Sequence, residues 1–202
     1  DVGSTKASVI EAARAELSAT SSFSLRRFVP AHPIAGGELP GVEHADAVLF
    51  RGKRLITTPV AETHAEALAR VESLWEAAGA VVVRMAADEH DRIFAAVSHL
   101  PHLLSFALVA QIASAPDGAR KLGFAGAGFR DFTRIAASSP AMWRDIALAN
   151  RAALSAELQG YRALLDDLQR AVDAGDGARL ADVFELASRT RRAATTKAID
   201  SE

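Results

Sequence analysis

The spacing of apolar residues changes character once along this chain, and that change limits the folds open to it. Up to Met85 short apolar runs alternate with an amphipathic helix, whereas only helical spacing follows. Leu55-Ile56-Thr57-Thr58 is rich in β-formers and stops at Pro59. From Glu62 to Ala78 the positions Ala67, Val71, Leu74, Trp75 and Ala78 keep helical steps, and Gly79 ends the pattern. Ala80 to Met85 then reads as a short buried strand. Strand, helix, strand in this order predicts an α/β sheet.

Beyond Met85, helical patterns run from Asp88 to Ser114, from Pro140 to Val172, and from Ala178 to near Ala194. The segment Asp173-Ala174-Gly175-Asp176-Gly177 separates the last two. The boundary is placed near Met85 to Asp88, giving domains at 1–86 and 87–202, the second all-α. Ile146, Leu154, Leu158, Tyr161, Leu165, Leu168 and Val172 form a long stripe that packs against other helices or a partner subunit. At the other end, Thr5 to Leu17 is a helix with Ser4 as its expected N-cap, and Phe28 to Ala31 is a buried strand ending at His32.

Composition narrows the chemistry. A formal net charge of -2 offers no broad positive field for nucleic acid or an anionic membrane. The absence of cysteine excludes disulfides and thiolate catalysis, and is compatible with a reducing compartment such as the cytoplasm. No run is expected to span a membrane, which takes roughly 20 apolar residues. The chain opens on Asp1-Val2-Gly3-Ser4-Thr5-Lys6 as though a strand had just ended, so a fragment is expected.

Three clusters carry possible chemistry. His32 precedes Pro33, which biases it to extended backbone, so its ring leaves from a strand end, where open α/β sheets bind ligands. A histidine there is either incidental or a general base with an ordinary pKa near ~6.5. The second cluster is Asp88-Glu89-His90-Asp91 with Ser98-His99-Leu100-Pro101-His102; His99 and His102 share a helix face, and Pro101 is expected to kink or restart that helix. Histidines and carboxylates so spaced could hold a divalent metal, which would make a metal-dependent hydrolase, although a further His-Asp element is missing. In the third, Arg130 and Arg134 flank Asp131, a pattern fitting either a carboxylate clamp or a surface salt-bridge cluster.

Taken together and in order, these motifs resemble the prephenate and arogenate dehydrogenase family of tyrosine biosynthesis. The matching residues are Asp1 to Lys6, His32-Pro33-Ile34-Ala35-Gly36 with Glu38 and Gly41, His90-Asp91, Ser98 to His102, Gly128 to Ala136, and Trp143-Arg144-Asp145-Ile146 with Asn150. The resemblance implies the α/β remnant of a Rossmann-type nucleotide-binding domain followed by an all-α helical dimerisation domain. It implies oxidative decarboxylation of a cyclohexadienyl substrate with hydride transfer to NAD or NADP, in a homodimer. It assigns His32 as the base on the substrate hydroxyl, with Ser4 holding that histidine beside the nicotinamide. It assigns Arg134 to a substrate carboxylate, Glu38 and Asp131 to an ionic network with it, and His102, His99, Trp143 and Ser138 to the substrate pocket. Asp1, Gly3, Ser4 and Pro33 would face the cofactor. The family's glycine-rich fingerprint lies upstream of Asp1, so the chain as written is expected to bind NAD poorly. The substrate is prephenate or arogenate, and a non-catalytic helical dimerisation fragment is the reading from another class.

Overall fold

Leu55 and Ile56 lie at the centre of the only sheet among the described residues. The computed structural model describes residues 1–18, 25–36 and 41–199. Helix α1 (Ala7–Ser18) precedes strand β1 (Ala31–Pro33). Strand β2 (Arg54–Thr57), helix α2 (Ala65–Ala77) and strand β3 (Val81–Arg84) follow. The order in the sheet is β1-β2-β3, with β2 parallel to β3 as strand, helix, strand predicts, but antiparallel to β1. His32 pairs in register with Ile56.

Burial explains why β2 is central. Leu55 is fully buried and packs with Ala31 and Ala80, under the rings of Phe50 and Trp75, which meet edge to face with centroids 4.8 Å apart. Gly79 ends α2 as expected, because φ there is +88° and a Cβ would lie 3.2 Å from the Arg51 Cα. The β1 strand begins later than its apolar run suggests: Phe28 to Pro30 carry no ladder, although Pro30 still accepts the Thr58 N–H at 2.9 Å.

The α1 helix starts at Ala7 rather than directly after Ser4. Its first N–H groups are satisfied from far along the chain: the Asp91 carboxylate accepts Lys6 N at 2.8 Å and Ala7 N at 2.9 Å. Ser4 is therefore not the cap.

Helix α3 (Ala87–Phe94), a π-helical turn (Ala95–His99) and helix α4 (Leu100–Ala113) follow one another directly. The α-helical pattern gives way to the π turn just before Pro101, and α4 starts afresh at Leu100 with Pro101 in its first turn, where a missing N–H is tolerated, so the proline restarts the helix as expected. By length and composition Ala87–Ala113 could cross a membrane, with a mean hydropathy of 1.7. Its charges all lie in the first two turns, which leaves the remainder apolar, a property that the core helix of a folded protein shares. It also carries buried His90, Asp91, His99 and Ser105, while Ile93 and Val97 are exposed.

Helices α5 (Gly118–Gly123), α6 (Ala127–Thr133), α7 (Pro140–Ala149), α8 (Arg151–Ala174) and α9 (Gly177–Ile199) complete the order. The pattern predicted as one helix from Pro140 divides at Asn150, whose side chain turns inward. The chain forms two compact units, Asp1–Leu154 and Ser155–Glu202. In the second, Gly175 at φ +66° turns the chain between α8 and α9, and Arg179 bridges back to Asp167 at 2.7 Å.

Replacing Leu55 by Ala removes the centre of the sheet core, and urea denaturation is expected to show a loss of about 2 to 5 kcal/mol. A loss below about 1 kcal/mol would contradict this packing.

Candidate active site

His32 is held from three sides. Its backbone lies in β1, and Ile34 N donates to Arg54 O at 2.7 Å just beyond it. The preceding carbonyl, that of Ala31, accepts from Nζ of Lys6, a lysine with no exposed surface that also pairs with the Asp1 carboxylate. The ring itself is half-buried, 5.1 Å from the His90 ring and 5.0 Å from the Phe94 ring, centroid to centroid. His32 Nδ1 lies 2.8 Å from His90 Nε2, and His90 Nδ1 lies 2.8 Å from Asp91 Oδ1. A buried line of three polar groups thus runs from the strand end to the start of α1.

The π turn shapes the opposite wall. At about 100° per residue, His90 and His99 would face opposite sides of an unbroken α-helix. The wider turn from Ala95 to His99 swings His99 back, and such insertions recur at functional sites. Asn150 then holds it: its Nδ2 donates to the Asp91 carbonyl at 2.7 Å and lies 3.1 Å from His99 Nδ1.

One turn further on, the His102 ring stacks on Trp143, with centroids 3.4 Å apart and planes 17° apart. His102 Nδ1 is 2.9 Å from the Ser98 carbonyl. Beside this stack is a cavity of about 210 Å³ lined by His99, Leu103, Phe106, Trp143, Ala147 and Leu154, among others. His99 Nε2 and Trp143 Nε1 are buried without a hydrogen-bond partner among the described residues. The cavity is apolar with two orphaned ring nitrogens, the form expected of a small-molecule site. Larger clefts, such as the one of about 560 Å³ beside Arg26 and Arg70, lie away from these histidines.

Burial sets the charge state. It pushes His32 down to about 3, helped by the nearby His90, Lys6 and His99 and opposed by Asp91. It pushes His99 down to about 4 against the pull of Asp91, while the Ser4 backbone faces the ring closely enough to favour its charged form without sound hydrogen-bond geometry. His102 is lowered by burial and by the positive charge of Arg134, and raised by the Ser98 carbonyl. Lys6 falls to about 8 on burial. For Asp91, burial is outweighed by hydrogen bonds from His90 and the Ala7 and Lys6 N–H groups, so its carboxyl stays below the usual range. Both His32 and His99 are neutral at pH 7.

The structure brings His99, His102 and Trp143 together, with Arg134 near enough to act on His102; His32 packs on His90 and Phe94, near enough to His99 for the two rings to interact electrostatically. Arg134 begins a 3₁₀ turn (Arg134–Ala137) after α6, and both it and Asp131 are exposed, while Ser138 caps the end of that turn half-buried. Ser4, Gly3 and Pro33 are half-buried and Asp1 is exposed. The described partner of the His32 ring is His90, and Ser4 lies by His99 instead. Glu38 lies outside the described residues. The sequence offers His90 and Asp91 only as possible metal ligands, and Lys6 and Asn150 only as parts of motifs without a role. The available signal was an adjacent His-Asp pair in a helix whose other face is apolar. Among the described residues no three histidine, aspartate or glutamate side chains are placed to hold a metal ion.

Comparison with known proteins agrees with this layout. Two family models match in order: prephenate dehydrogenase, nucleotide-binding domain, over residues 1–84, and prephenate dehydrogenase, dimerization domain, over residues 86–186. They define a class of protein in which a nucleotide-binding domain is followed by a helical dimerization domain. More particularly, the chain belongs to the prephenate dehydrogenase family. It is 35% identical over 198 residues to a cyclohexadienyl dehydrogenase from Zymomonas mobilis, covering 97% of this chain and 66% of that protein. It is 36% identical over 188 residues to a prephenate dehydrogenase from Bacillus subtilis, covering 93% of this chain and 49% of that one. Its fold matches the crystal structure of prephenate dehydrogenase from A. aeolicus in complex with hydroxyphenyl propionate and NAD+, at a TM-score of 0.85 and 36% identity, over 95% of this chain and 65% of that one. The chain thus spans between about half and two thirds of the length of these relatives.

The two depressed histidines make stability depend on pH. Unfolded, each binds its proton near 6.5; folded, only near 3 and 4. The unfolded chain therefore binds more protons below about 6.5, and stability falls as the pH drops from there towards 4. Melting temperature measured between pH 7 and 4.5 is expected to fall, and to fall less in His99→Gln. An equal or steeper fall in that variant would contradict the burial of a neutral His99.

Proposed function

We propose that the protein is a prephenate dehydrogenase that converts prephenate to 4-hydroxyphenylpyruvate with NAD or NADP as hydride acceptor, in the cytoplasm. The observation that carries this reading is the neutral, half-buried His32 at a strand end, facing the side of the fold that holds His99, His102 and the Arg134 charge. A base must be unprotonated to take a proton, and this one is so throughout the neutral range.

The residues present fit the nicotinamide end of a dinucleotide. Gly3 is half-buried, and a Cβ there would crowd the Asp1 carboxylate oxygen at 3.2 Å, so glycine keeps this turn compact beside the lysine behind the strand-end histidine. Asp1, Gly3, Ser4 and Pro33 would hold the nicotinamide. When bound, the nicotinamide accepts the hydride.

The chain's own residues do the rest. Arg134 anchors a carboxylate of the substrate, with Asp131 and Glu38 as its acidic neighbours, and the stacked His102 and Trp143 together with His99 and Ser138 shape the pocket. His32 takes the proton of the ring hydroxyl as the hydride leaves the same carbon. The carbon-carbon bond to the ring carboxylate breaks, carbon dioxide departs, and the freed electron pair completes the aromatic ring. Arogenate differs from prephenate only in an ammonium for a keto group on the side chain, so it is the alternative substrate. We assign residues 1–86 to nucleotide binding and 87–202 to substrate binding and dimerisation. The exposed Ile93, Val97, Val172, Phe184 and Leu186 support a homodimer, in which a partner subunit would cover them.

Replacing His32 by Asn in the full-length protein is expected to lower kcat by about 100-fold or more with little change in substrate affinity. Arg134→Gln should instead weaken substrate binding, by about 2 to 4 kcal/mol if a buried carboxylate loses its partner. Steady-state kinetics with prephenate, arogenate, NAD and NADP reads both. The reverse pattern would mean that base and anchor have been exchanged.

A further inference from the structure

We propose that the groups behind the two site histidines fix them in opposite tautomers: His90 with Asp91 leaves His32 a bare Nε2, and Asn150 leaves His99 an Nε2–H. Neither pair touches the substrate in this account; both are positioning residues. The use of the bare nitrogen as a base rests on the dehydrogenase reading, whereas the tautomers follow from hydrogen-bond chemistry alone.

Asp91 fixes the first tautomer. Its carboxylate accepts two backbone N–H groups at the start of α1, and an ionised carboxylate only accepts. Its 2.8 Å contact with His90 Nδ1 therefore puts a hydrogen on Nδ1. With one hydrogen on the ring, His90 Nε2 is an acceptor, and the donor it meets among the described residues is His32 Nδ1 at 2.8 Å. His32 then carries its hydrogen on Nδ1, and its lone pair falls on Nε2. A second hydrogen on His90 would reverse the order and put the His32 hydrogen on Nε2.

Asn150 fixes the second tautomer. Its Nδ2 is identified by the Asp91 backbone oxygen 2.7 Å away, which can only accept. The same amide nitrogen lies 3.1 Å from His99 Nδ1, so that ring nitrogen accepts. The neutral ring therefore carries its hydrogen on Nε2, the atom buried without a partner beside the cavity.

The site thus offers one acceptor and one donor from the same residue type. The proton of a substrate hydroxyl passes to His32 Nε2: its O–H bond breaks and an N–H bond forms. The resulting imidazolium still donates from Nδ1 to His90, and its charge is balanced through that ring by Asp91. His99 Nε2–H donates to an oxygen of the same ligand, a hydroxylated cyclic carboxylate.

Nitrogen-15 NMR of the histidine rings in the unliganded full chain at pH 7 reads the tautomers directly, and six histidines are few enough to assign by substitution. The expected spectrum has the His32 hydrogen on Nδ1 and the His99 hydrogen on Nε2. His90→Gln, whose amide oxygen still accepts, should keep the His32 tautomer and hold kcat within about tenfold, whereas His90→Leu should release it and lower kcat by about 100-fold. Asn150→Leu should release His99 alone. A wild-type spectrum with the His32 hydrogen on Nε2 overturns the proposal, whatever the kinetics. If His90→Leu does not fold, the wild-type, His90→Gln and Asn150→Leu spectra still decide. Should the tautomers be as stated while His32→Asn keeps full turnover, the dehydrogenase role of His32 fails and the tautomer assignment stands.

Discussion

The Asp91 carboxylate is the interaction on which the rest depends. It accepts the first N–H groups of α1 and the ring of His90, so a single side chain joins the amino-terminal helix, α3 and the strand-end histidine. Burying a carboxylate is costly unless donors meet it, and here three do, two of them the first N–H groups of α1. Its own backbone carbonyl is taken by Asn150, which ties α7 to the same point. Lys6 completes the arrangement from the other side by holding the Ala31 carbonyl, next to His32. Geometry at the histidine is therefore determined by residues on four separate elements.

The same polar cluster explains the long apolar run from Ala87. The run is apolar enough to pass for a membrane span by composition, but its buried His90, Asp91 and His99 find their partners at the start of α1, on β1 and at the end of α7, within one compact unit. The π turn is what brings two histidines of one helical run towards the same side, His90 beside the strand-end histidine and His99 beside the cavity.

Much of this was legible from local pattern, and the rest was not for definite reasons. The β2-α2-β3 succession, the stop at Gly79, the change after Met85 and the break at Asp173 to Gly177 are all set by residues within a few positions, which is the range over which periodicity and turn chemistry speak. His32 at a strand end was legible because Pro33 restricts its backbone. The cap on α1 comes from Asp91, remote in sequence, and Ser4 offered a plausible local decoy. The division at Asn150 was hidden because its apolar neighbours keep helical steps straight through it; only the inward hydrogen bonds to Asp91 and His99 break the run. The π turn has no signature in spacing alone, so the convergence of His90 and His99 had to come from the structure. The antiparallel seat of β1 was likewise invisible, since a three-residue strand carries no period.

The central claim is that His32 takes the hydroxyl proton while Arg134 holds a carboxylate, and a crystal structure of the full-length protein with 4-hydroxyphenylpyruvate and NAD+ tests it most directly. The account predicts the phenolic oxygen within about 3 Å of His32 Nε2 and the carboxylate on the Arg134 guanidinium. A ligand whose phenolic oxygen sits against His102 and Trp143, with His32 Nε2 facing no ligand atom, would contradict it.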